Sequence, residues 1–363
     1  MPGLGANHNH NGELTNLSGQ VAFTWRDPAQ AGRWEAKFMR HLVCLGLALC
    51  GLTFTLTPAF AQTWPDRPLR MVVPWPPGGA NDILGRSMAE RIGARLGQPV
   101  VVDNRGGSNG VLGADQVAKA RPDGNTLMFH SVTSHVTNPA MIARLPYDTM
   151  ADFAPVSVVA NVPLVIVVNP REPMRDLAAL IARARAEQGR LSYASFGNGS
   201  PSHLAGELFN RRLGIEMQHV PYRGGVPALT DTIAGQIPVY FASLATALEA
   251  INTGGVRALA VTGARRAPAL PNVPTVEEAA NLPGYDMVVA YGLWTTNGTP
   301  PAIVERLYEV TRAVMQETSI IERFRSQGAQ DIEARSPAES ARIIAGDSET
   351  WGRIAREARA TIE

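Results

Sequence analysis

The run Val162 to Val168 is almost wholly apolar and β-branched, which is the pattern of a strand covered on both faces. A sheet that holds such a strand needs helices above and below it, and the flanking sequence supplies them. From Leu69 onward, short apolar runs alternate with stretches whose apolar residues recur at helical spacing. Strands are expected at Leu69 to Trp75, Pro99 to Val102, Thr126 to Phe129, Pro155 to Val159, Val162 to Val168, Leu191 to Phe196, Met217 to Val220, Ile237 to Phe241, Val256 to Thr262 and Met287 to Thr295. Helices are expected between them, for example Asp82 to Leu96 and Ser200 to Leu213, and three more in the tail from Pro300. The fold class is therefore α/β, with a mostly parallel, doubly wound sheet. About ten strands are many for one core, so two lobes are expected, with chain crossings near Val162 and Val289. One lobe takes residues 62–163 and 286–363, the other 164–285. No internal repeat is evident.

The start of the chain reads differently. Residues 1–38 are polar and show neither periodicity nor caps, so they are expected to be a disordered extension or a mis-assigned start. Met39-Arg40-His41, an apolar run from Leu42 to about Leu56, and the small-residue exit Ala59-Phe60-Ala61 have the order of a secretory signal peptide over 39–61. Cleavage is expected after Ala61, giving a periplasmic protein. The apolar run is shorter than the about 18 residues of a membrane span, which disfavours an anchor. Both cysteines, Cys44 and Cys50, lie inside it, and Leu49 is large for a lipid-attachment site. The mature chain then has no thiol, which removes disulfides, thiolate metal ligands and a Cys nucleophile. It is also formally neutral and has no basic block, so no nucleic-acid partner is expected.

Two loops carry the candidate chemistry. Met71 to Asp82 runs from an apolar strand through Trp75-Pro76-Pro77-Gly78-Gly79 to Ala80-Asn81-Asp82 at a helix start. The first N–H groups of a helix lack intrahelical partners and carry partial positive charge, and glycines let an anion approach the main chain. The second loop, Ser195 to His203, ends at Ser200, a good N-cap, with Pro201 at the first helical position. One such loop per lobe would grip a small acid from both sides through Gly197, Asn198, Gly199 and Ser200, although any βα turn has much the same composition. Ser131 and Thr133 offer hydroxyls at a strand end, and Tyr222-Arg223 stand at another strand exit. Gly106-Gly107-Ser108-Asn109-Gly110 lacks the Lys-Ser/Thr ending of a phosphate loop and reads as a turn. His130, His135, His203 and His219 have no metal-ligand spacing, and no cofactor or metal is expected. The rival from another class is an exported serine hydrolase using Ser200 and His203, although the nucleophile-elbow spacing is absent.

These segments, in this order, resemble the extracytoplasmic solute receptors of tripartite tricarboxylate transporters, the Bug family. The resemblance covers about residues 63–360. It rests on Trp64-Pro65 with Pro68, Val73 to Asp82, Asp103-Asn104-Arg105, Ala118-Lys119-Ala120 with Pro122-Asp123-Gly124, and Leu145-Pro146-Tyr147-Asp148 with Asp152-Phe153. Ser195 to His203, Val220-Pro221-Tyr222, and Leu270-Pro271 with Val273-Pro274-Thr275 complete it. It implies a two-lobed type II periplasmic binding protein, a Venus flytrap without a cofactor, expected to act as a monomer that captures a small carboxylate for membrane permease subunits. A ligand sensor feeding a signalling protein is the variant reading. It also implies a carboxylate held by main-chain amides and ordered waters at Pro76 to Asn81 and Gly197 to Ser200. Three positions depart from the family pattern. Ala242 stands where an Asp is common, Trp75 where Phe is commoner and Gly106 where Pro is usual. The missing Asp points to a ligand without an amino group.

Overall fold

The computed structural model describes residues 64–357; the expected extension and signal peptide lie outside them. Nine strands are described: β1 Leu69–Val73, β2 Val100–Asn104, β3 Thr126–Ser131, β4 Phe153–Val168, β5 Ser192–Ser195, β6 Gln218–Pro221, β7 Val239–Ser243, β8 Arg257–Val261 and β9 Val288–Thr296. They form one sheet in the order β2-β1-β3-β9-β4-β7-β5-β6, with β8 also on β4. Helices connect them, and the tail forms three: Pro301–Met315, Thr318–Ser326 and Pro337–Glu357.

The sheet is mixed where a mostly parallel one is expected from the alternation. The outer strands do pair parallel, β1 with β2 and β3, and β5 with β6 and β7. The long strands β4 and β9 pair antiparallel with each other and with their other neighbours. They are the outgoing and returning connections between the two outer sets, so they run in opposite directions.

The expected strands Pro155 to Val159 and Val162 to Val168 are one 16-residue strand. From Phe153 to Pro163 it lies on β9; from Leu164 to Val168 it lies between β7 and β8. Pro163 brings no N–H, and it sits where the partners change, the position in a strand at which that loss costs least. Leu164 to Val168 are fully buried. Thr262 ties this crossing to the return. Its hydroxyl accepts from Leu164 N–H at 3.0 Å and faces the carbonyls of Leu164 at 3.2 Å and Met287 at 2.6 Å. Its own backbone bonds Leu164 O and Met287 N.

The helix after β1 spans Ala80–Leu96, starting two residues before the expected Asp82. Leu84, Met88 and Ile92 are fully buried at four-residue spacing, and Gly97 ends it with φ 71°, its N–H on Gly93 O. No helix among the described residues is long and apolar enough to cross a membrane.

Candidate ligand-binding site

β1 ends at Val73, and the chain turns through two prolines to Gly78, whose φ of +81° favours glycine. Gly79 is the N-cap, in extended conformation with no side chain to bond the helix. Of the first-turn amides above it, that of Asp82 turns back onto Gly79 O at 3.0 Å, which leaves those of Ala80 and Asn81 without an intrahelical partner. The loop is braced from behind by Asp82. One carboxylate oxygen accepts the Gly78 N–H at 2.9 Å, and the other accepts from Asn104 Nδ2 at 2.9 Å and pairs with Arg86 Nε at 2.9 Å. Burial alone would raise the Asp82 pKa, but the bonds from Gly78, Arg86 and Asn104 outweigh it and hold the carboxyl below its ordinary value. A lowered folded pKa means stability present above the unfolded pKa and lost as pH falls through the folded one. Urea midpoints followed from neutral pH to below the ordinary carboxylate range should fall less steeply in Asp82→Asn than in the wild type; parallel curves would remove Asp82 as the brace.

Trp75 is buried, and its indole Nε1–H donates to His130 Nδ1 at 3.2 Å, which puts the His130 proton on Nε2. Burial, with His135 adding to it, holds His130 neutral. The other edge of Trp75 meets Phe196 at 5.7 Å and 82°, an edge-to-face pair between the first loop and the loop after β5.

That second loop is arranged differently from the first. Ser200 Oγ accepts the His203 N–H at 3.3 Å, the Gly199 N–H donates to His203 Nδ1 at 3.1 Å, and Gly199 O accepts Asn109 Nδ2 at 3.1 Å. This helix start is occupied by its own residues. Two other helices start nearby without side-chain caps: Gly225–Ala234, whose N-cap is Gly224, and Leu244–Asn252, whose N-cap is Ser243.

Between these elements lies a cleft of two joined chambers. The outer, of about 570 Å³, has Trp75, Pro76, Pro77, Phe196 and Tyr222 as walls, with Asn104, Gly106, Gly107, Ser108, Asn109, Gly197, Asn198, Arg223 and Gly224 around them. Its size is that of a small-molecule site. The inner, of about 40 Å³, adds Gly79, Ala80, Asn81, Gly225, Val226, Ser243, Thr246 and Tyr291 to the shared Trp75, Pro76, Pro77, Phe196 and Gly224. Three uncapped helix starts, at Gly79, Gly224 and Ser243, thus border the inner chamber.

Of the residues singled out in the sequence, Trp75, Pro77, Gly79, Ala80, Asn81, Gly197, Asn198 and Tyr222 line one chamber or both. Gly78 lines neither chamber but a separate groove that it shares with Val226, to which an added Cβ would come within 3.2 Å. Asp82 faces a lateral groove. Gly199, Ser200 and His203 are buried and do not line either chamber. Neither do Ser131, whose hydroxyl caps the Val132–Met141 helix by accepting from Ser134 N–H at 3.1 Å, Thr133, fully buried, and Ala242, which pairs with Val165 inside the sheet. The stretch Gly106 to Asn109, read as a turn, lines the outer chamber. Gly107, Ser108 and Asn109 all have positive φ there, 140°, 47° and 51°.

Ser200 and His203 are not arranged as nucleophile and base. Ser200 is fully buried, its hydroxyl bonds the main chain, and the His203 ring lies stacked on His219 at 3.8 Å and 10°. Burial lowers both imidazoles, His203 to about 4 and His219 to about 3, the latter also repelled by His203. Ser200→Ala is expected to cost about 1 kcal/mol as a lost N-cap, measured by urea denaturation. No stability change would mean the cap is idle.

Comparison with known proteins agrees with this architecture. Residues 84–359 match the family model described as tripartite tricarboxylate transporter family receptor. A protein from the tcbD-tcbE intergenic region of Pseudomonas sp. (strain P51) is 37% identical over 324 residues, covering 89% of this chain and 96% of its own. BugT of Bordetella pertussis is 36% identical over 310 residues, covering 84% and 94%. The solved structure of R. palustris Rpa4515 with adipate superposes with a TM-score of 0.79 at 34% identity, covering 82% of this chain and 99% of that one. On the extent of these matches, this chain belongs to the tripartite tricarboxylate transporter receptor family, the Bug proteins.

Proposed function

We propose that the protein is a periplasmic receptor that closes on a small carboxylate and passes it to the membrane subunits of a tripartite transporter. The two lobes would be the strand sets on either side of the Pro163 crossing, and the cleft between them the capture site. The observation that carries this reading is the inner chamber, where three helix starts without side-chain caps meet and, among the described residues, no acidic side chain lines the wall. Partial positive charge from three macrodipoles favours an anion there without a cationic clamp. Adipate bound to the R. palustris neighbour supports the ligand class. Contacts from both sides give closure its selectivity, because only a ligand that touches both lobes favours the closed state. Isothermal calorimetry of the mature chain against organic acids tests it. Stoichiometric binding with the acid recovered unchanged is the expected result; product formation, or no binding by any acid of the panel, would overturn it.

A further inference from the structure

Two imidazoles that line neither chamber hold both ends of a loop that does. The parallel register of β5 and β6 sets His219 beside Tyr193, and His203, in the first turn of the Pro201–Leu213 helix, stacks on the His219 ring. From this stack each ring reaches one end of the loop. His219 Nε2 lies 2.6 Å from Ser195 Oγ, which accepts the Gly197 N–H at 3.1 Å. His203 Nδ1 accepts the Gly199 N–H at 3.1 Å, so the neutral ring carries its proton on Nε2, and burial keeps it neutral.

Those two amides belong to the residues that most need holding. Gly197 and Gly199 have φ of +142° and +69°, and glycine loses more backbone freedom on ordering than any other residue. Between the anchors, Phe196, Gly197 and Asn198 form a wall of the outer chamber, and Phe196 also reaches the inner one and meets Trp75. At the far end, Gly199 O accepts Asn109 Nδ2 from the facing strand set. The neighbouring elements do not depend on the imidazoles. Ser200 caps the helix, and β5 and β6 pair through their backbones, so what the stack adds falls on the loop.

We propose that His203 and His219 are positioning residues for ligand capture: the stacked pair sets the Phe196–Asn198 wall in its binding shape before the ligand arrives. This rests on the carboxylate reading above. A wall ordered in advance leaves less entropy to be lost on binding, so removing either anchor lowers the affinity for every acid by about the same factor.

The test joins hydrogen exchange of the ligand-free mature chain, read by mass spectrometry, with calorimetry against straight-chain and benzene carboxylic acids. Both are run on wild type, His203→Leu, His203→Asn and Ser195→Ala. In His203→Leu the segment 196–199 should exchange about fivefold faster, the effect of one lost hydrogen bond, while β4 and β7 keep wild-type rates. Affinity should fall by a similar factor for each acid that binds the wild type. His203→Asn, whose side-chain oxygen stands as many bonds from Cα as Nδ1 does, should keep most of the protection and most of the affinity. Ser195→Ala removes one oxygen at the other end and should behave like His203→Leu, so the test holds even if the leucine variant fails to fold. Wild-type exchange over 196–199 in the variants, faster exchange spread equally over β4 and β7, or faster local exchange with unchanged affinity would overturn the positioning role and leave the carboxylate reading standing. A wild type that binds no acid of the panel would overturn the carboxylate reading and the capture role with it.

Discussion

Gly79→Val should weaken ligand binding by roughly 100-fold, about 2.7 kcal/mol, while the protein stays folded. Gly79 has φ −84° and ψ 170°, extended backbone that a β-branched residue adopts readily. A Cβ there would meet only Pro76 O at 3.8 Å, ordinary contact distance. The cost to the fold is limited to the poorer N-cap, about 1 kcal/mol. The two γ-methyls would enter a chamber of about 40 Å³, which then no longer admits an acid head. The neighbouring glycines make poorer probes. Gly78 has φ +81° and an added Cβ would press on Val226 at 3.2 Å, and Gly224 has φ +112° with Pro76 Cγ at 3.3 Å, so substitutions there strain the backbone as well. Calorimetric affinity alongside a thermal melt reads both effects. Wild-type affinity in Gly79→Val would show that the ligand does not use the inner chamber.

Trp75→Ala should cost about 3–5 kcal/mol of folding stability and most of the ligand affinity. The side chain is 8% exposed, packs edge-on against Phe196, and supplies the hydrogen bond to fully buried His130. Truncation opens a void between the two loops and leaves His130 Nδ1 without its donor. Trp75→Phe keeps a ring at the wall and loses the hydrogen bond, so it should cost about 1 kcal/mol and retain binding. Denaturant midpoints and calorimetry on the two variants separate wall from hydrogen bond. Equal losses in both would assign the role of Trp75 to its N–H rather than its ring.

Much of the fold was legible because periodicity is local. The strand–helix alternation and the three-helix tail are patterns of a few residues, and the structure has them. β4 reads as two strands because Ala160-Asn161 interrupts the apolar pattern locally; its continuity depends on β9, β7 and β8, partners distant in sequence. At the cleft, Pro76 to Asn81 were legible because glycines at a strand–helix junction are informative. Ser200-Pro201 misled for a physical reason. A strong side-chain cap satisfies the amides it announces, so Ser200 marks a helix start already occupied. Gly224-Gly225, which offers no cap, is the better sign of amides left for a guest. Gly106 to Asn109 match no motif, and only their place beside Pro76 makes them a wall: a Cβ on Gly106 would fall 2.9 Å from Pro76 Cδ.

Thr262 gives the molecule a mechanical property. Both passages of the chain between the strand sets, at Leu164 and at Met287, are fastened to this single buried residue. Sliding one set past the other would shear bonds on both passages at once, whereas a swing with its axle at Thr262 leaves them intact. In the arrangement described, Asn109 Nδ2 reaches across from one strand set to the other and lies 3.1 Å from the carbonyl of Gly199.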